Sequence, residues 1–147
     1  MPEGFERDLS PSDLADLIDY VRGAAHPPKA FAGNRPAVVR PAEDGVLRLS
    51  AARAKIFGSR IVFESQYKNL GWWQAADDRA VWTIENSQPG KYRVEIDYAC
   101  HDDVAGNMLQ LQTRDDRLSA KVTGTGTWDD YRWQALGTVR LGEGTSE

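Results

Sequence analysis

Lys91–Cys100, KYRVEIDYAC, is the stretch on which the fold turns. Tyr92, Val94, Ile96 and Tyr98 alternate with Arg93, Glu95 and Asp97, the period of a β-strand with one face buried. Gln88-Pro89-Gly90 immediately before it supplies turn chemistry, because Pro presets φ and Gly tolerates positive φ. Strand-like runs lie on both sides. Working outward, they are VLRLSA (46–51), AKIF (54–57), RIVFES (60–65), LGWW (70–73), RAVWTIE (79–85), MLQLQT (108–113), LSAKVT (118–123) and YRWQALGTVRL (131–141). Short strands at this spacing, separated by Gly, Asn, Asp and Ser, predict a mainly β chain: an antiparallel β-sandwich with one N-terminal helix, 91–100 being a central strand. In the last run, Trp133, Ala135, Gly137, Val139 and Leu141 are expected on one face, with two sheets stacked inner face to inner face. After it, GEGTSE (142–147) stands where a turn to another strand is expected.

Size and charge narrow the function classes. The 147 residues fit one medium domain or a small domain with an appended piece, and 41% hydrophobic content is enough for a real core. The 18 basic and 22 acidic residues are interspersed, giving a net charge of −4, and no basic stripe points to nucleic acid. No apolar run approaches the roughly 18–20 residues of a membrane span. MPEGFERD is not a signal peptide. The single Cys100 excludes an internal disulfide and a multi-cysteine zinc site; at a strand end it reads as a buried free thiol.

Residues 8–23 predict one helix. Ser10 is an N-cap, Pro11 fits the first helical position, and Asp13 completes a capping box across which Leu9 and Leu14 form a hydrophobic staple. Leu14, Leu17, Ile18 and Val21 make an apolar stripe that needs a cover, and Gly23 suits the C-terminal end. Residues 24–45, with four prolines and a solvated His26, read as a semi-extended spacer. Residues 46–147 are then the β domain.

Trp128 in GTGTWDDYRW sits in a Gly/Thr-rich loop, where a large indole has little packing reason to be. Indole faces stack on sugar C–H faces and carboxylates accept from sugar hydroxyls, so Trp128 with Asp129 and Asp130 is a candidate ligand site; the alternative is an indole folded back as a lid. Alternation sends one of Trp72 and Trp73 inward and one outward, so at most one is a platform. Trp82 and Trp133, placed in strands, are expected in the core. Asp102, Asp103 and Asn107 form an acidic loop that either contacts a ligand or is a solvated turn, and it has too few oxygens for calcium alone. His101 has no second histidine at zinc-ligand spacing. Asp77-Asp78-Arg79 suggests a local ion pair. No nucleophile elbow, zinc-protease motif or phosphate loop is present, and the chain is read as not an enzyme.

Two resemblances add to this reading. MPEGFERDLSPSDLADLIDYVRG (1–23) resembles the C-terminal end of a class I c-type cytochrome domain, which makes Met1 the haem's axial methionine and Leu14, Leu17 and Tyr20 the face toward the rest of that domain. The chain has no C-x-x-C-H, so no cofactor is expected in it; a c-type haem belongs to a parent protein. Residues 46–147 resemble galactose-binding-like jelly rolls, especially carbohydrate-binding modules of families 6 and 35, through LRLSAARAKIFG, NLGWW, DDRAVWTIENSQPGKYRVEIDYA and TGTGTWDDYRWQALGTVRL. The resemblance implies a non-catalytic module that binds a polysaccharide or glycan, with Trp72 and Trp128 on the sugar and Asp129, Asp103 and Asn107 as polar contacts. It implies a periplasmic or extracellular setting and, as the other partner, the missing cytochrome domain. A structural calcium at an Ala-Glu pair is doubtful here, where the pair reads Ala51-Ala52.

Overall fold

The computed structural model describes residues 10, 11, 13–15, 17, 18, 21 and 27–147. The expectations on Met1, Leu9, Tyr20, Gly23 and His26 lie outside them. The fold is mainly β. The strands are β1 (Lys55–Phe57), β2 (Val62–Glu64), β3 (Asn69–Gly71), β4 (Arg79–Val81), β5 (Ile84–Asn86), β6 (Gly90–Tyr98), β7 (Met108–Gln112), β8 (Arg117–Lys121), β9 (Arg132–Leu141) and β10 (Gly144–Ser146). They pair antiparallel in twos: β1 with β4, β2 with β3, β5 with β10, β6 with β9 and β7 with β8. Among the described residues β6 therefore has a hydrogen-bonded strand on one side, not the two of a central strand.

The chain divides into two compact units. One takes the described residues up to Pro36 together with Ser50–Val81; the other takes Ala37–Leu49 and Trp82–Glu147. Helical residues at 11, 13–15, 17, 18 and 21 belong to the first. The capping box forms as expected, with the Asp13 amide donating to Ser10 Oγ (3.2 Å) and the Ser10 amide and hydroxyl both donating to Asp13 Oδ2 (2.9 and 2.6 Å). Those bonds, the hydroxyl's first, hold the Asp13 carboxyl below its usual range.

The first unit's core is Ala54, Ile56, Ile61 and Phe63, supplied by the residue just before β1, by β1, by the link to β2 and by β2. The Pro-rich stretch expected as a spacer is tied to it: Lys29 N–H donates to the Ile56 carbonyl and Lys29 Nζ to the Ile61 carbonyl, both at 2.7 Å. Asn34 Nδ2 donates to the carbonyls of Ala51, Ala52 and Ala54 at 3.4, 3.1 and 2.9 Å. The position of the implied calcium therefore presents two methyl side chains and carbonyls already engaged, and these do not fit a calcium ion.

The expected Asp77-Asp78-Arg79 ion pair does not form. Asp77 Oδ1 accepts from Ser59 Oγ at 2.9 Å, and the Arg79 guanidinium lies 4.6 Å over the Phe57 ring. Asp78 is buried and accepts four backbone N–H groups. Arg60 (2.9 Å) and Ile61 (3.0 Å) donate to Oδ1; Gln74 (3.0 Å) and Ala75 (2.8 Å) donate to Oδ2. Burial pushes this carboxyl up, but the four amides together pull it further down, to about 2.

In the second unit, β6 shows the alternation read from its sequence, with Tyr92, Val94, Ile96 and Tyr98 inward. Its partner does not keep one face. The register runs Val94 to Gly137 and then Glu95 to Ala135, leaving Leu136 as an extra residue on β9. This β-bulge reverses the parity of everything before it. Val139 and Leu141 are buried as expected, but Ala135 is exposed and Trp133, paired with Asp97, is 72% exposed. The core placement of Trp133 is thus corrected. Gly137, at the bulge, has φ +141°, and a Cβ there would lie 2.8 Å from Leu118 Cδ1. Trp82 is half-buried in the link between β4 and β5 rather than in a strand.

Buried polar groups join the second unit's ends. Asn86 donates to the carbonyls of Gln88 (3.1 Å) and Gly142 (3.0 Å), and its Oδ1 accepts from the Gln88 amide and the Tyr92 hydroxyl, both at 3.1 Å. Val39 is buried in a parallel bridge to Ile84, exchanging bonds of 2.9 Å with Thr83 and Glu85. In the β7–β8 turn, Asp116 Oδ2 accepts the Arg140 amide of β9 at 3.0 Å. That bond, with the Arg117 amide, keeps its carboxyl below the usual range.

Candidate functional site

Two loops of the second unit close on each other just beyond β6. Thr125, buried, donates its amide to the Cys100 carbonyl, while the Cys100 amide donates to Thr125 Oγ1, both at 2.9 Å. Asp102 Oδ1 accepts the Gly126 amide at 3.0 Å, and the Asp102 amide donates to the Gly126 carbonyl at 3.4 Å. Glycine is required opposite: a Cβ on Gly124 would lie 2.1 Å from Asp102 Oδ1. Cys100 is a buried free thiol as expected, and burial, with Asp102 nearby, pushes it up.

This clamp fixes the base of the 127–131 turn. Asp130 Oδ2 accepts the Thr127 amide (3.2 Å) and Thr127 Oγ1 the Asp129 amide (3.3 Å). From this turn Trp128 projects with 57% of its surface exposed. His101 stands beside it, ring centroids 6.1 Å apart and tilted 34°. His101 also caps the 3₁₀ turn Asp102–Val104: its Nδ1 accepts the Asp103 amide at 3.3 Å, with Asp103 Oδ2 at 3.6 Å.

Of the residues singled out in the sequence, Trp128 and Asp103 are both brought to His101, and Asp129 follows Trp128 on the same turn. Asn107 lies farther along, just before β7, where its carbonyl accepts the Val122 amide at 2.8 Å. Trp72 belongs to the first unit. His101 lacks zinc-ligand spacing, and the signal in the sequence for its role is a different one: a histidine at a strand end followed by two aspartates is a capping pattern.

Trp72 and Trp73 do not alternate, because β3 ends at Gly71. Trp72 has φ +59°, the left-handed region in which a bulky residue is strained by roughly 1–2 kcal/mol. That turn lets Trp73 Nε1 donate to the Asp78 carbonyl at 3.0 Å and brings the next two amides onto the Asp78 carboxylate. Both indoles remain exposed, Trp72 at 62%. Among the described residues, no three His, Cys, Asp or Glu side chains are grouped so as to hold a metal ion, and no helix is long and apolar enough to cross a membrane. A pocket of about 80 Å³ lies at the other end of the second unit, lined by Thr113, Arg114 and Glu143 among others, and is too small for a pyranose.

No protein-family model matches the chain, and no curated protein or solved structure matches it either.

Proposed function

We propose that the chain is a non-catalytic carbohydrate-binding module: a galactose-binding-like jelly-roll sandwich carried at the C-terminal end of a c-type cytochrome-like protein of the periplasm or cell exterior. The observation that carries this is Trp128, an indole held out to solvent by a turn whose backbone is clamped at its base. An exposed aromatic on a flexible loop loses side-chain and loop entropy when it binds, whereas a clamped one is already ordered. Asp103, bonded through its amide to the His101 beside the indole, and Asp129, next to Trp128 in the chain, supply carboxylates that accept hydroxyl hydrogens. Trp72 is a second exposed indole, in the other unit. The test is titration of the chain with saccharides, followed by indole fluorescence and calorimetry. Trp128→Ala is expected to weaken binding about tenfold or more, as loss of a central tryptophan anchor does. A chain that answers to no saccharide, with Trp128→Ala indistinguishable from it, overturns the reading.

The helix favours a second reading, a docking module for the cytochrome domain in which haem and electron transfer reside. Leu14, Leu17, Ile18 and Val21 are all exposed, an apolar stripe with nothing over it among the described residues. This reading predicts that the chain self-associates or captures a separately made cytochrome domain, and that Leu14→Asp with Ile18→Asp abolishes either in sedimentation experiments. A monomer indifferent to that domain rules it out.

A further inference from the structure

We infer that His101 is a hydrogen-bond donor of the Trp128 site and that the site takes an uncharged saccharide, excluding uronate and sulfated sugars. This inference rests on the saccharide reading above and adds its specificity.

The donor follows from the tautomer. A neutral imidazole carries one N–H, and a nitrogen that accepts a hydrogen bond is the bare one. Nδ1 is the acceptor, since it takes the Asp103 amide at 3.3 Å, while the Asp103 carboxylate at 3.6 Å is beyond hydrogen-bond reach. The proton is therefore on Nε2, for which no partner exists among the described residues. The side chain is 39% exposed, and its ring is 6.1 Å from the indole. That separation is too short for a sugar between the rings. It does let a pyranose stacked on the open face of Trp128 present a ring or hydroxyl oxygen to Nε2–H. Of the polar side chains on the two loops, Asp103 and Asp129 accept only, while the Thr127 hydroxyl, whose oxygen takes the Asp129 amide, is the other donor. A sugar oxygen without a hydrogen to give can take its hydrogen bond from His101 Nε2–H.

The exclusion follows from charge. Asp102, Asp103, Asp129 and Asp130 lie on the two loops, and two of them are held in place by the Gly126 and Thr127 amides. The cations at the border are fewer: Lys121, whose Cε lies 3.7 Å from where a Gly106 Cβ would be, and Arg132 at the start of β9. A carboxylated or sulfated sugar meets net repulsion within a Debye length of about 10 Å at 0.1 M salt, and a neutral one does not.

The experiment runs the whole chain in affinity electrophoresis through galactan, xylan, cellohexaose-substituted gel and polygalacturonate at pH 8. Wild type, Trp128→Ala, His101→Asn and His101→Gln are compared. Asn places an oxygen where Nδ1 lies, keeping the cap and removing the far donor; Gln places an N–H where Nε2 lies. The expected result is retardation by at least one neutral polymer and none by polygalacturonate. His101→Asn should bind about five- to tenfold more weakly at an unchanged melting temperature, and His101→Gln should recover most of the loss. If a neutral polymer binds through Trp128 but His101→Asn matches wild type, or polygalacturonate binds equally well, this inference falls and the saccharide reading stands. If nothing on the panel binds and Trp128→Ala changes nothing, both fall.

Discussion

Replacing Asp78 with alanine is expected to destabilise the first unit by about 4 kcal/mol or more, because the change strands backbone donors at roughly 1–3 kcal/mol each when buried. The carboxylate collects the amides of Arg60, Ile61, Gln74 and Ala75, two on each oxygen, and so joins the start of β2 to the chain between β3 and β4. Asp78→Asn retains one acceptor oxygen and should fall about halfway. Urea unfolding measures both, and values within about 0.5 kcal/mol of wild type, the range of a plain surface change, would dismiss the role. The pH dependence has a definite sign. The folded carboxyl sits at about 2 against an ordinary 3.8, so the unfolded chain binds its proton first as pH falls. The stability this group contributes is complete above roughly pH 4, declines between there and pH 2, and is absent below; in Asp78→Asn that component of acid unfolding should vanish.

Gly58→Ala is the second large effect, and it acts on the same assembly from the opposite side. Gly58 has φ +115°, and a Cβ there would lie 2.5 Å from both Asp78 Cα and Oδ1 and 2.8 Å from the Asp77 carbonyl. Two of these contacts are with backbone, which cannot rotate away as a side chain can. Strain at positive φ adds to the clash, and a loss of about 3 kcal/mol or more is expected. Because the new methyl displaces the residue whose carboxylate matters, Gly58→Ala and Asp78→Ala should be markedly non-additive in a double-mutant cycle. Losses that simply sum would show that the two positions act separately.

Much of the strand content was legible because it is written in periodicity. β6, β7, β8 and β9 fall where alternation puts them, and the helix start is written in Ser10 and Asp13. VLRLSA shows the limit of that signal: burial alternates along 46–50, but no ladder forms, since alternation reports which side is wet and not whether a strand lies alongside. RAVWTIE breaks into β4 and β5 because its halves pair with different partners, β1 and β10. Asp78 was misread as an ion-pair member because its partners are backbone amides, which every sequence has and none advertises.

The site was legible in part for the same reason. Trp128 stood out by composition alone, and Asp129 by adjacency. The tie between the 101–104 and 124–127 segments runs through Thr125, Gly124 and Asp102, small or common residues whose importance appears only when the loops are side by side. The alternation expected to send one of Trp72 and Trp73 inward gives way where a left-handed residue replaces the pleat, and both indoles are exposed.

The extra residue in β9 has a consequence for how this protein tolerates change. Leu136 works as a phase shift: which side chains before it meet water depends on a count of residues, not on their chemistry. Removing one residue between Trp133 and Gly137 would swing Trp133 toward the place Gln134 now holds beside Tyr98 and turn Gln134 out. Point substitutions on that arm leave the count intact. This half of the β6–β9 ladder is therefore far more vulnerable to a frame-preserving deletion than to exchange of any one of its side chains.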